Sequence, residues 1–466
     1  MQTLEALWQL AGLDAHALEH VTITGDDPVL PSVFRVGRAA ASSIAAVGAA
    51  AGELHRLRTG KTQHVSVDTR AALAAFRSER YLLIDGQAPP SPWGPLSGYF
   101  RTADDRYVQL HANFPHHHAG LVELLQCADD RDAVKAAIRD WRGEDFETAA
   151  GARGLCVGLL RSRAEWEAHP QGQAVAGLPL LEIEKIGDSA PEPLPPGTRP
   201  LSDVRVLDLT RVIAGPVCGR TLAAHGADVL RVGAPHLPLL PHVWLELARG
   251  KRSCHLDLRE HTDRVMLEAL VKHSDIFSQA YRPDALAQFG FGPDELALLR
   301  PGIVFVTLCA YGHQGPWADR RGFDSLVQTV SGIGDAGAKA AGIRGTKALP
   351  CQALDHATGY LAAFGAMVAL MRRAEEGGSY QVRVSLAQTG NWLFNLGLID
   401  GLDEPDIGID DVRDRLEERT SPHGTITAVR SAENLDETPA RWDRTATPLG
   451  ADQPQWIGAA MRSGRP

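Results

Sequence analysis

Between residues 204 and 308 the chain alternates short β-branched, apolar runs with helical stretches, and this alternation restricts the fold more than any other feature. Val204-Arg205-Val206-Leu207-Asp208-Leu209, Ala227-Asp228-Val229-Leu230-Arg231-Val232, Cys254-His255-Leu256-Asp257-Leu258, Asp275-Ile276-Phe277-Ser278-Gln279 and Ile303-Val304-Phe305-Val306-Thr307-Leu308 each read as a strand. A helix is expected over 214–226, opened by Gly215-Pro216, because proline is tolerated in a first helical turn. Strands that are apolar on both faces and separated by helices form a parallel sheet covered on both sides. The expected class is therefore α/β, with a Rossmann-like large domain.

A second constraint is an internal repeat. Ala45-Ala46-Val47-Gly48-Ala49 aligns with Ala362-Ala363-Phe364-Gly365-Ala366, an offset of 317 positions. At that offset Arg56 meets Arg373, Gly60 meets Gly377, Val65 meets Val382 and Val67 meets Val384. Both copies read helix, glycine-containing turn, strand, Ala-rich helix, without a gap over about 45–70. Asp355 falls opposite Arg38, so only the second copy carries an acid at that place. Between the copies, residues 98–110 read as a hairpin, with helical segments following as far as Trp166-Glu167-Ala168-His169-Pro170-Gln171. That pattern predicts a smaller α+β domain. The Pro-rich stretch at 190–197 blocks helix and sheet and reads as a linker. The expected organisation is 1–90 as part of the large domain, 91–185 as the small domain, 186–200 as the linker, 201–400 as the Rossmann-like domain, and 401–466 as an irregular tail.

Bulk properties exclude several classes. A chain of 466 residues exceeds one ordinary core. Its net charge of −10 and lack of a basic stripe argue against a nucleic-acid surface. Six scattered cysteines without Cys-x-x-Cys spacing fit reduced thiols in a cytoplasm better than a disulfide framework or a zinc site. The first 20 residues lack the basic and apolar regions of a signal peptide, and the Ala-rich stretch at 39–52 is too short to span a bilayer. A cytoplasmic protein without membrane or nucleic-acid partners is expected.

The residues from 204 onward resemble the opening of the family III CoA-transferases, the superfamily of formyl-CoA and carnitine-CoA transferases and acyl-CoA racemases. The matching pieces run in order. Leu207-Asp208-Leu209, Ala214-Gly215-Pro216 and Gly226-Ala227-Asp228-Val229 come first. Gly250-Lys251-Arg252-Ser253, Tyr281-Arg282-Pro283 with Gly290, and Tyr311-Gly312-His313-Gln314-Gly315-Pro316 follow. Gly322-Phe323-Asp324 with Gln328, the Asp355 segment, and Gly377-Gly378 before Val382-Arg383-Val384 complete the series. Residues 37–85 resemble the piece that follows the family's reactive Asp, and 95–175 its small domain. The halves thus stand in permuted or fused order. The resemblance implies a homodimer, a CoA-transferase activity on acyl-CoA and carboxylic acid substrates, and no permanently bound cofactor.

It also implies roles for residues. Asp355 matches the nucleophile that attacks the thioester, forms a mixed anhydride and then an aspartyl-CoA thioester. Taken alone, an Asp at a helix start reads as a cap; with its context the nucleophile is favoured. Ala214, Lys251, Arg282, Arg321 and Asp324 match CoA-contacting positions, Lys and Arg being expected for phosphates. Two family positions that are often basic read Gly233-Ala234 and Gln288-Phe289, and the glycine-run loop over the active site is missing, with Trp93-Gly94-Pro95 a poor substitute. His116-His117-His118 reads as a polar loop with no metal role, and the part played by His356 stays open. Three rivals remain. A racemase pairs its Asp with a His where this chain has Phe323. A dinucleotide oxidoreductase needs a Gly-x-Gly-x-x-Gly that is absent after the first strand. A non-catalytic CoA-ester-binding protein of the same fold is the third.

Overall fold

In the computed structural model, residues 1–282 and 284–457 are described. Pro283 of the Tyr281-Arg282-Pro283 motif and the last nine residues of the expected tail lie outside them. The centre is a seven-stranded sheet. Its strands are β1 (Glu182–Gly187), β2 (Arg205–Leu209), β3 (Asp228–Gly233), β4 (Lys251–His255), β5 (Ile276–Gln279), β6 (Val304–Cys309) and β7 (Ser379–Ser385). They lie in the order β4-β3-β2-β5-β6-β7-β1. Strands β2 to β7 are parallel, and β1 closes one edge antiparallel to β7. Every residue of β2 is buried, as expected for a strand sandwiched between helix layers. The strand order reverses between β2 and β5. In an open parallel sheet a crevice opens at the carboxyl ends of the strands at that point.

The repeat is visible in three dimensions. Helix α1 (Val36–Thr59) and helix α3 (Ala353–Glu376) each run for 24 residues and pack against one another. The residues before them, Arg35 and Gln352, share a backbone conformation at φ −77 with ψ 62 and 60. Each helix crosses the strand that follows it at a glycine. A Cβ on Gly48 would lie 2.7 Å from Val65 Cγ1, and one on Gly365 would lie 2.6 Å from Val382 Cγ1. Strand Val65–Asp68 pairs parallel with Val21–Thr24 as β7 pairs with β6. The first copy thus keeps one strand–helix–strand unit, and the second keeps a full sheet. Helix α3 is long and apolar enough to cross a membrane, but its most apolar stretch is entirely buried inside the fold, as in a core helix.

The hairpin expected in the small domain is present. Gly98–Arg101 pairs antiparallel with Tyr107–Leu110, which pairs with Val157–Leu159, and the domain has its own core around Phe100, Val108, Phe146 and Leu159. It docks on the large domain through motifs far apart in sequence. The Gln171 amide donates to Tyr311 O at 2.8 Å and Gln314 O at 2.7 Å, and accepts from Trp317 N at 2.6 Å. The linker runs as irregular chain, held by Arg58, whose guanidinium donates to Pro200 O at 2.8 Å and Ser202 O at 2.7 Å.

The expected irregular tail is corrected by the structure. Leu416–Ser421 and Gly424–Val429 form a hairpin, and Glu433–Leu435 adds antiparallel to Val65–Asp68. That last pairing satisfies backbone groups the truncated first copy would leave unpaired at a sheet edge. Two tryptophans anchor the remainder, Trp442 Nε1 to Arg220 O at 2.9 Å and Trp456 Nε1 to Leu270 O at 3.1 Å.

The glycine crossings give a test of the duplicated core. Gly365→Ala forces a methyl against Val382 and Leu181 (2.8 Å to Cδ1). It should cost about 1–3 kcal/mol, the usual cost of overpacking, read as a lowered denaturation midpoint with an unchanged slope.

Candidate active site

Helix α3 begins with no side-chain cap of its own, which leaves its first N–H groups unsatisfied. The acid that satisfies them comes from outside. Asp324, the first residue of helix α2 (Asp324–Val330), accepts from Leu354 N at 2.9 Å and Asp355 N at 3.0 Å. Gln328, one turn further on, donates to Asp324 and to Cys351 O, while its carbonyl accepts from Leu349 N at 2.8 Å. The capping role that Asp355 could have filled is therefore taken. Its own carboxyl is directed into a cavity of about 420 Å³.

The cavity lies at the carboxyl ends of β2, β5 and β6, the place the strand order selects, with Leu209, Ala280 and Leu308 on its wall. The loop after β2 contributes Arg211, Val212, Ile213 and Ala214. Val212 has φ 71, a left-handed conformation that costs a β-branched residue roughly 1–2 kcal/mol. Helix α3 presses on the same loop one turn past Asp355: a Cβ on Gly359 would lie 2.4 Å from Ala214 O and 2.7 Å from Val217 Cβ. The opposite wall, Phe114, His116 and His117, comes from the small domain of the same chain. Arg211, Arg282, Arg320 and Arg321 also line the cavity.

Asp355 is buried, and among the described residues nothing donates a hydrogen bond to its carboxyl. Burial, then the negative charges of Asp324 and Glu79, raise it well above the ordinary carboxylate range. Burial likewise lifts Asp324 to about 6, against the backbone and amide donors that pull it down. A carboxylate without donors in such a site is basic and undersolvated, properties that favour nucleophilic attack. The imidazoles of His111 and His117, on the small-domain side, are neutral near pH 7. Desolvation depresses His111 to about 4 and His117 to about 3. They form an aromatic wall with Phe114 and Phe323, His111 stacking on Phe323 with ring centres 3.7 Å apart.

Of the residues singled out in the sequence, Asp355, Ala214, Arg282 and Arg321 line the cavity. Two expected CoA contacts are corrected. Lys251 is fully buried away from it, with Nζ donating to Asp208 Oδ2 at 2.7 Å and Pro216 O at 2.8 Å. Its charge is already neutralised and out of reach of a phosphate. Asp324 is also buried and serves the helix terminus. The His triplet is not a polar loop: it occupies the first turns of helix Pro115–Leu125, with His117 buried and His116 exposed. Pro115 at the first helical position was the signal for that helix. Arg211 and Phe114 were passed over, although a cation in the loop after the first strand of such a sheet is well placed for a phosphate. Trp93 stands outside the cavity wall, its ring edge-on to His111.

The model of CoA-transferase family III matches residues 10–189 and 201–409. The chain belongs to CoA-transferase family III. It is 28% identical over 432 residues to an acyl-CoA transferase of Gibberella moniliformis, covering 83% of this chain and 75% of that one. It is 34% identical over 248 residues to acetyl-coenzyme A transferase nodX of Hypoxylon pulicicidum, covering 50% of this chain and 42% of the relative. With the succinyl-CoA–D-citramalate CoA-transferase of Chloroflexus aurantiacus it shares 34% identity over 205 residues, or 40% and 49% of the two chains. The chain thus spans about half the length of several curated relatives it matches. A crystal structure of Rv3272 from Mycobacterium tuberculosis aligns over 42% of this chain and 57% of its own, at 29% identity and a TM-score of 0.39.

Two substitutions separate the roles of the cations. Lys251→Met leaves Asp208 buried and unpaired, a loss of about 3–5 kcal/mol of stability, whereas Arg321→Ala should leave the melting temperature within a few degrees and weaken CoA binding, both read by calorimetry. The unsolvated Asp355 also makes a stability prediction. Its folded value is raised, so ionisation disfavours the folded state as pH rises above about 4, the unfolded value. Asp355→Asn should therefore raise the melting temperature at pH 8 by about 2–4 °C, and the gain should shrink towards pH 4.

Proposed function

We propose that the protein transfers CoA from an acyl-CoA thioester to an acceptor carboxylate through covalent intermediates on Asp355. The observation that carries this reading is the Asp355 carboxyl, buried without donors at the head of a cavity lined by arginines. The cavity supports entry of a long anionic thioester. Arg211 spends one donor on Pro238 O and Arg321 one on Gly154 O, and a guanidinium has five. Arg282 lies exposed at the edge. These cations suit the phosphates of CoA, and the neutral aromatic wall suits its acyl end.

Asp355 attacks the thioester carbonyl. The carbon–sulfur bond breaks, CoA leaves as the thiolate, and a mixed anhydride remains. The thiolate attacks the aspartyl carbonyl, releasing the original acyl group as its carboxylate. An acceptor carboxylate then attacks the aspartyl-CoA thioester, displacing the thiolate again. Attack of that thiolate on the acceptor's acyl carbon forms the new acyl-CoA and frees Asp355. Each step trades a thioester for an anhydride or the reverse, which divides one difficult exchange into easier ones. Relatives named for succinate and glutarate, and for acetyl-coenzyme A, act on acyl groups of different sizes, so the reading extends to the class and not to one acid.

The racemase reading is weaker here. Phe323 carries no proton, and His117, the buried imidazole on the cavity wall, is neutral near pH 7 with Nε2 against Cys156 Sγ at 3.6 Å. A CoA-ester-binding protein differs in forming no bond to Asp355. Incubation with a panel of acyl-CoAs, trapping with hydroxylamine and peptide mass mapping should show a hydroxamate on Asp355 that Asp355→Ala lacks. CoA binding without any adduct would leave the binding-protein reading in place.

We also propose that the chain pairs as a homodimer while each protomer keeps its own site, because both cavity walls lie in one chain. Mixing Asp355→Ala with a small-domain variant impaired by Phe114→Ala should restore no activity. Recovery towards a quarter of the wild-type rate would mean that protomers share their sites.

A further inference from the structure

The first copy of the repeat has lost its acid, with Arg38 paired to Asp26 at 2.8 Å in the corresponding place, yet it reaches the surviving site. Just past its last helix, Thr69–Ala75, a tight turn at Ser78–Arg80 carries Glu79 against the start of α3. Glu79 Oε2 lies 3.0 Å from His356 Nε2. The imidazole is fully buried and stacks on Phe76 with ring centres 5.5 Å apart. Phe76 also stacks on Tyr360, one turn further along α3. Two buried polar atoms in this cluster have no hydrogen-bond partner among the described residues, Glu79 Oε1 and His356 Nδ1. A half-buried acid whose Oε1 receives no hydrogen bond and has only the Arg80 guanidinium 3.8 Å away costs stability, so its presence beside Asp355 calls for a use.

We propose that Glu79 is a positioning residue for the nucleophile. Through His356 it fixes the rotation of the first turn of α3, and with its charge it holds the Asp355 carboxylate in a negative field. This rests on the nucleophile reading of Asp355. The first turn is then gripped from two sides: Asp324 takes the backbone N–H groups of Leu354 and Asp355, and Glu79 takes the side chain of His356. Rotation about the helix axis would break one or the other, so the Asp355 side chain keeps its aim into the cavity.

The charges around Glu79 are few. His356 and the thiol of Cys351 face it from the α3 side. Cys351 is pushed up to about 12 by burial and stays uncharged. From its own segment Arg80 Nε stands 3.8 Å from Oε1, and Arg77 is engaged with Asp406 at 2.6 Å. Behind Ser78 lies the buried group of Arg220, Glu246 and Arg249, with Arg220 Nη1 3.3 Å from Ser78 Oγ. Asp324 and Asp355 complete the set. Two of the acids, Asp324 and Glu79, act on Asp355 in the same direction, raising its affinity for a proton.

Glu79→Gln keeps the volume and an acceptor for His356 but removes the charge; Glu79→Ala removes both. Adduct formation on Asp355 in a single turnover should be followed against pH. The acid limb for Glu79→Gln should move to lower pH by roughly half a unit or more, because the carboxylate survives to lower pH without its negative neighbour. Glu79→Ala should lower kcat by about tenfold or more with the KM for acyl-CoA within about twofold. A purely structural Glu79 would lower the melting temperature and leave the pH profile in place, and an unmoved limb in folded Glu79→Gln overturns the proposal. Where the wild-type protein forms no adduct, the nucleophile reading fails, and the role of Glu79 is still decided without substrate. The infrared carboxyl band obtained by subtracting the Asp355→Asn spectrum should titrate at lower pH in Glu79→Gln than in wild type.

Discussion

The carboxylate of Asp324 on the first N–H groups of α3 is the contact on which the site depends. A helix start buried in a core needs acceptors for its free donors, and here a neighbouring helix supplies them through Asp324 Oδ2. That acceptor releases Asp355 from the capping task and turns its side chain into the cavity. The arrangement brings two buried acids from different helices together at the first turn of α3. Both are lifted above their ordinary range. Under the proposed nucleophile reading, reactivity and stability oppose each other at this point for one physical reason: the solvation withheld from the carboxylate raises its reactivity and makes it expensive.

The two copies of the repeat solve the same capping problem in the same way. Asp27 accepts from Gly37 N at 2.7 Å and from Arg38 N at 2.8 Å, as Asp324 does from Leu354 and Asp355. The donors correspond at the offset of 317 found in the sequence, and the acceptors do not, because the segments leading to them differ in length. In the first copy the second of the two capped positions is Arg38, partly exposed and paired with Asp26, where the second copy has Asp355. Scaffold and chemistry have separated. The fold retains the helix pair because α1 and α3 bury one another, while the acid stands only in the second copy, where it lines the cavity.

That separation marks what the sequence could disclose. The strand and helix alternation, the sheet's parallel character, the repeat and the place of Asp355 at a helix start were legible because each follows from local patterning: apolar runs, a gapless offset, a motif beside a helix start. In the tail the hairpin of Leu416–Ser421 with Gly424–Val429 is local, but its second strand also pairs with Leu83–Ile84; Glu433–Leu435 is short and polar at its centre, and Val65–Asp68, hundreds of residues away, makes it a strand. Lys251 was misread for a similar reason. A lysine beside Gly250 looks like a surface cation, and its burial follows from Asp208, 43 positions earlier in the chain. Glu79 carried no local signal and the His117 triplet reads by itself only as a polar loop, since the significance of both arises from docking the first copy and the small domain onto α3 and the β2 loop.

Lys251 nevertheless contributes to the site by a longer route. Its ammonium neutralises Asp208 at Oδ2, and the other oxygen, Oδ1, accepts from Thr210 N at 3.0 Å and from the Thr210 hydroxyl. The same ammonium holds Pro216 O at 2.8 Å. Both ends of the loop from Leu209 to Ala214 are therefore tied to one buried ion pair. That loop carries Arg211 at the cavity and stores the left-handed Val212. A conformation costing roughly 1–2 kcal/mol persists only where its surroundings over-determine it, and the Lys251–Asp208 pair supplies that restraint. The cation expected at the phosphates instead fixes the backbone from which another cation, Arg211, reaches the cavity.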